Sequence, residues 1–175
     1  MNIVYFDLET KYLAEEVGGW DFIDRMELAV AVTYSTRRGA FAHYTEREVS
    51  ALIEDLSSAD LVVGFNILRF DYTVLRPYTT RDLRQLPSLD ILDELYRSLG
   101  HRVKLDSCAQ ATLGAAKSGD GLQAVRWFHE GQIEKVIEYC KQDVDLVRQL
   151  HEYGKRHRCI YFSYYGQRRC VSVNW

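Results

Sequence analysis

The stretch MNIVYFDLET at the start of the chain constrains the fold more than any other segment. Six of its first eight residues (Met1, Ile3, Val4, Tyr5, Phe6 and Leu8) are apolar or aromatic, which reads as a strand entering a core. Asp7 and Glu9 stand at its end, two apart, and residues two apart in a strand share a face. Two carboxylates on one face of a core strand repel each other and lose hydration. That costs several kcal/mol per ion unless something neutralises them. Either a cation is held at this strand end, or the strand stops early and both acids reach water. Hard divalent cations choose oxygen ligands, which makes Asp7 and Glu9 metal-ligand candidates.

The rest of the chain supplies a setting for such a site. The segment LAVAVTYSTRRGAFAHY alternates and breaks at Arg37-Arg38-Gly39, the pattern of a hairpin after the first strand. TEREVSALIEDL has helical spacing with Thr45 at the N-cap position. ADLVVGFN is a short apolar run ending in Gly-Phe-Asn, the pattern of a buried parallel strand. A helix is expected from about Ile67 to Arg76, stopped by Pro77. Further helices are expected over Asp90–Leu99, Asp106–Leu113, Leu122–His129 and Gln132–Tyr153. Antiparallel strands, then strand–helix alternation, then a helical half predict an α/β domain with a mixed sheet and helices on its faces. The ending CIYFSYYGQRRCVSVNW reads as a hairpin turning at Gly166-Gln167, with Phe162 opposite Val171 and Ile160 opposite Val173.

Two more acidic motifs follow the first. In GFNILRFDY, Gly64 closes a strand, Asn66 is positioned to cap the next helix, and Asp71 lies one turn into it. A site at the carboxyl end of this strand would lie beside the end of the first strand, where open α/β sheets place their ligands. The alternative is a capped turn with Asp71 simply exposed. In IEKVIEYCKQDVDLV, Tyr139 and Asp143 are four apart and share a helix face. They fall at the edge of an apolar arc made by Ile133, Val136, Cys140 and Val147, while Asp145 lies on the polar back. An acid at that edge reaches the rim of the core; a boundary tyrosine bonded to Asp143 is the plainer alternative.

In this order, the three motifs resemble those of the DEDD (DnaQ-like) exonucleases of the ribonuclease-H-like superfamily. FDLET looks like the first motif, and GFNILRFD is similar to the second as found in family-B DNA polymerase proofreading domains. YCKQD matches the third in its tyrosine (DEDDy) form; where the histidine form carries His, this chain has Glu138. LDSCAQATLGAAKSGDGLQAVRWFHEG and the terminal hairpin resemble YprB-type ribonuclease-H-like domains. The resemblance implies one ribonuclease-H-like domain over residues 1–175, with residues 158–175 an appended hairpin. Its sheet would have five strands, three antiparallel and then parallel ones.

It also implies a 3′→5′ exonuclease that releases nucleoside 5′-monophosphates from single-stranded nucleic acid, DNA favoured, with two Mg²⁺ or Mn²⁺ ions. Asp7 would bridge both ions, Glu9 and Asp143 would complete the first, and Asp71 would support the second. Tyr139 would orient the attacking water, because a phenol with a pKa near ~10 is a poor general base. Two other readings stay open: a nuclease-fold binding or docking module with weak activity, and an endonuclease of the same superfamily.

A net charge of −3 advertises no polyanionic partner, but acids devoted to one site would mask a basic surface around it. Nucleic-acid contacts are expected among Asn66, Phe70, Arg69, Lys117 and Trp127, though Phe70 and Trp127 suit a core equally well. The KRHR run at 155–158 reads as a solvated helix end, and Tyr161, Tyr165 and Arg168 as a wet hairpin face or docking surface. The resemblance allows a helicase or polymerase partner and a role in DNA repair. The four cysteines form no CxxC pair, no leader is visible, and no apolar run spans a bilayer, so a cytoplasmic protein with free thiols is expected.

Overall fold

The architecture comes from a computed structural model, which describes residues 1–115 and 121–175. A five-stranded sheet forms the middle layer, in the order β3-β2-β1-β4-β5. These strands are β1 (Ile3–Thr10), β2 (Leu28–Ser35), β3 (Ala40–Thr45), β4 (Leu61–Gly64) and β5 (Ser88–Asp90). β1 pairs antiparallel with β2, and β2 with β3; β4 runs parallel to β1, and β5 parallel to β4. β1 is therefore central, and its carboxyl end lies beside that of β4. This mixed five-stranded sheet flanked by helices, with a C-terminal two-stranded hairpin, is the architecture expected from the sequence.

The alternation in β1 divides the core. Val4, Phe6 and Leu8 face one layer together with Leu52 and Leu56 of α2 (Val49–Ser57) and with Val74 and Leu75 of α3 (Asp71–Leu75). Ile3 and Tyr5 face the other layer, against Val136, Cys140, Val144 and Val147 of α7 (Ile133–His157). That layer also holds α4 (Ile91–Leu99), α5 (Leu105–Leu113) and α6 (Gly121–His129). A short α1 (Ala14–Val17) and a 3-10 turn over Trp20–Arg25 connect β1 to β2. No helix of the described residues is long and apolar enough to cross a membrane.

Local chemistry explains where the elements depart from expectation. The helix expected from Ile67 begins only at Asp71, because Asn66 takes a left-handed conformation (φ 72°) and the chain turns through Ile67–Phe70. Asn66 is thus no N-cap: Phe70 holds that position, and the Asn66 side chain accepts from Arg102 Nη2 at 2.6 Å. Asp71 is the first residue of α3 rather than one turn in, and it is buried, not exposed. α3 ends at Leu75, one residue before the expected Arg76, and Pro77, with no N–H to continue the α-helical ladder, helps to stop it; the chain goes on as a 3-10 segment, Arg76–Tyr78. Thr45 does open its helical segment, with the Glu48 carboxylate accepting its N–H (3.0 Å) and its hydroxyl (2.9 Å), but the first turn is 3-10.

The terminal hairpin, β6 (Cys159–Tyr164) and β7 (Gln167–Ser172), turns one residue earlier than expected, at Tyr165-Gly166. Both turn residues have positive φ (49° and 76°), the two-residue geometry whose twist suits a hairpin. Ile160 therefore faces Val171, and Phe162 faces Arg169. A two-residue shift preserves the side-chain faces, so Ile160, Phe162, Val171 and Val173 still enter the core.

Candidate metal centre at the end of the central strand

Asp7 and Glu9 continue the face begun by Ile3 and Tyr5, so the stripe of β1 that meets α7 is apolar at one end and acidic at the other. The pairing with β2 holds through Glu9 opposite Val30 and then slips, with Thr10 opposite Leu28. A bulge here frees the strand end to splay from its neighbour just where the acids stand. Asp143 comes from α7, and its carboxylate meets those of Asp7 and Glu9 with ligand oxygens within 4.8 Å of one another. Glu9 and Asp143 are only 9 % and 4 % exposed. Three clustered oxygen donors with so little water suit a hard divalent cation.

Asp71 approaches from the opposite helical layer. Its Oδ1 accepts the Leu8 N–H at 3.2 Å, which ties the start of α3 to the end of β1. Burial raises its pKa well above the usual carboxylate range, and the nearby charges of Asp7 and Asp90 push in the same direction. Burial first, and the neighbouring acids second, therefore disfavour its ionised form. Cys140, one turn before Val144 on α7, shares this environment. Its thiol donates to the Asp7 carbonyl at 3.3 Å and lies 3.6 Å from Asp7 Oδ2. Burial raises the thiol pKa, and Asp7, Glu9, Asp143 and Asp71 add to the rise.

These acids line a pocket of about 430 Å³. Tyr139 and Asp143 border it from α7, as one helical face requires, and Tyr139 is 3 % exposed. Asp145 lies outside the cavity and pairs with Arg148 at 2.7 Å. Phe70 and Asn66 line the pocket, and Arg69 lines a second one beside it. Trp127 is set back, its ring meeting Tyr139 edge-on at 6.1 Å, so it braces the tyrosine from behind. Lys117 lies outside the described residues. Lys155–His157 end α7 in solvent, and Arg158 is its left-handed cap.

Sequence reasoning passed over three residues that shape the site. Asp90 ends β5 and caps α4, and its carboxylate accepts the N–H groups of Asn66 (2.7 Å), Leu68 (3.0 Å), Leu92 (3.0 Å) and Asp93 (3.3 Å). It thereby holds the turn that delivers Phe70 and Asp71. An Asp directly before an apolar helical run is an N-cap signal, although not one that reveals the second pair of donors. Trp20 and Tyr12 line the pocket from the β1–β2 connection. Gly18 and Gly19, at φ 100° and 118°, make the reversal that brings Trp20 to its mouth, and the Gly-Gly-Trp run was the only signal for it.

The family model RNase_H_2, described as RNase_H superfamily, matches residues 4–154. No curated protein matches the chain. Among solved structures, the chain is similar to the family B DNA polymerase from the hyperthermophilic archaeon Pyrobaculum calidifontis. The TM-score is 0.66 at 15 % identity, over 89 % of this chain and 24 % of the polymerase. The chain thus spans about a quarter of that enzyme, and at this identity the likeness establishes the fold alone.

Proposed function

The chain belongs to the RNase H superfamily, and on that premise we propose that it is a metal-dependent 3′→5′ exonuclease of the tyrosine-type DEDD class. Its substrate is single-stranded nucleic acid, DNA by preference, and its product nucleoside 5′-monophosphate. The observation that carries this reading is the meeting of Asp7, Glu9 and Asp143 within 4.8 Å, with Asp71 buried beside them and Tyr139 on the wall of the same pocket. The proposal treats residues 1–175 as one exonuclease domain with 158–175 an appended hairpin, of the YprB type.

The four carboxylates fit divalent cations. They offer only oxygen donors, and Asp71, whose pKa burial raises and the charge of Asp7 raises further, stands where a cation would favour its ionised form. Asp7, Glu9 and Asp143 would hold one Mg²⁺ or Mn²⁺, and Asp7 with Asp71 a second. Bound there, two such ions would lower the pKa of water and offset charge on the attacking and leaving oxygens. The protein's own contribution is placement. The Tyr139 hydroxyl orients water at the rim of the cluster, and the Leu8 N–H keeps Asp71 turned toward Asp7. Burial of Glu9 and Asp143 limits competing water. Phe70 offers a ring to the terminal base at the mouth.

The test uses 5′-labelled single-stranded DNA and RNA with Mg²⁺, Mn²⁺ or EDTA. The expected result is a metal-dependent ladder that shortens from the 3′ end and is absent in Asp7→Ala. Cleavage of a circular substrate would identify an endonuclease instead. No cleavage by the folded protein would favour a binding module, or a chain that needs a helicase or polymerase partner.

A further inference from the structure

The acidic pocket has a neighbour of opposite character. Trp20, 65 % exposed, meets the Phe70 ring at a centroid distance of 6.4 Å and 57°. The two rings line the acidic pocket on one side and a second pocket, about 310 Å³, on the other. Asn66, Arg69 and Arg102 close that second pocket, and no acidic residue is among the described residues that line it. Arg102 is held in place by its 2.6 Å bond to Asn66 Oδ1, and the left-handed turn at Asn66 is what brings that oxygen outward. Neither arginine has an ion pair among the described residues, whereas the other side of the ridge holds Asp7, Glu9, Asp71 and Asp143.

An exposed indole keeps a large apolar face in water, and one at a pocket rim is placed to meet a flat partner. A ridge of two rings with guanidinium groups behind it suits a polymer that alternates flat bases with phosphates. We propose that the second pocket is a backbone-phosphate subsite for the strand upstream of the scissile bond. In it Arg69 and Arg102 hold the phosphate, and Trp20 stacks on the base that crosses the ridge. This rests on the exonuclease reading and deepens it. The acidic pocket takes the terminal nucleotide, and affinity comes from the next phosphates along. A single strand has a free base face to offer Trp20, whereas a paired and stacked base does not, so the subsite selects an unpaired 3′ tail.

The experiment is fluorescence anisotropy of labelled (dT)2 and (dT)10 with Ca²⁺ present, on wild type, Arg69→Ala/Arg102→Ala, Trp20→Ala, Trp20→Phe and an Arg156→Ala charge control. In wild type (dT)10 binds more tightly than (dT)2. The double arginine variant loses at least tenfold of that gain. Its slope of log K against log salt becomes shallower by about 0.7 for each phosphate it no longer neutralises. Trp20→Ala costs about tenfold on (dT)10, in the range of one stacked base, and Trp20→Phe restores most of it. Wild-type affinity and salt slope in the double variant, or a loss equalled by Arg156→Ala, overturns the subsite even where wild type degrades DNA. Conversely, the expected losses in a protein that cleaves nothing keep the strand-binding subsite and count against an exonuclease that acts alone.

Discussion

Asp71 and Asp90 are both buried aspartates at the carboxyl edge of the sheet, and the structure handles them in opposite ways. Asp90 accepts four backbone N–H groups, from Asn66, Leu68, Leu92 and Asp93. Asp71 accepts the Leu8 N–H and faces the charge of Asp7. Burial raises the pKa of both; at Asp90 the backbone donors moderate the rise, whereas at Asp71 the charge of Asp7 adds to burial and the pKa is pushed well above the usual range. The difference separates architecture from chemistry. A carboxylate with its lone pairs satisfied by the backbone pins two loops together. One left with oxygens toward other acids is costly to the fold and useful to a cation.

Substituting the two acids breaks the comparison most directly. Asp71→Asn should lower metal-dependent cleavage by about 10³-fold or more, the several kcal/mol that a metal ligand supplies. It should leave the metal-free protein at least as stable as wild type and reduce the rise in melting temperature that Mg²⁺ or Mn²⁺ gives, because Asp7, Glu9 and Asp143 remain to hold one ion. Asp90→Asn should do the reverse. It replaces charge-assisted bonds to buried N–H groups, at a cost of about 3 kcal/mol in chemical denaturation, and retains the metal-induced shift. Equal loss of stability in the two variants would erase the distinction.

Gly64 links the two aspartates. It pairs with Asp90 across β4 and β5, and a Cβ there would collide with Ile67 Cγ2 and press on the Phe6 carbonyl at 3.0 Å. Ile67 is fully buried in the turn between the two acids, so it has little room to yield. Gly64→Ala should therefore cost about 3 kcal/mol and impair cleavage as well, because Asp90's donors and the start of α3 move together. A stable and fully active variant would show that the turn is less tightly held than its packing indicates.

His151 shows a third way to bury an ionisable group, which is to keep it neutral. Its Nδ1 meets the Tyr5 hydroxyl at 2.9 Å, and burial, with Lys155 adding to it, lowers its pKa to about 4. The unfolded chain takes up this proton near 6.5 and the folded one only near 4, so between those values the unfolded state binds more protons. Stability should fall on the order of 2 kcal/mol as pH drops through that window, and His151→Gln should flatten the slope. Unlike Asp71, this group should be indifferent to added metal.

Much of the site was legible because its logic is local. The alternation Ile3, Tyr5, Asp7, Glu9 assigns one face of β1, and the four-residue spacing of Tyr139 and Asp143 assigns one face of α7. The errors came where a residue's state depends on a partner far along the chain. Asn66 looked like a helix cap, yet its backbone is claimed by Asp90 and its side chain by Arg102, 24 and 36 residues away. The terminal hairpin turned one residue earlier than expected because Tyr165 accepts a positive φ, which nothing in its residue type advertises.

The sequence alone determined the layered α/β architecture, the strand that carries the first two acids, and which acid of α7 can join them. Periodicity assigns faces, and faces assign what is buried. Only the tertiary structure decided which carboxylates meet and which are spent on backbone donors, and that Trp20 stands against Phe70 between pockets of opposite charge. Those outcomes depend on distances between segments that the chain order does not encode, and the energy of a buried charge is set by those distances.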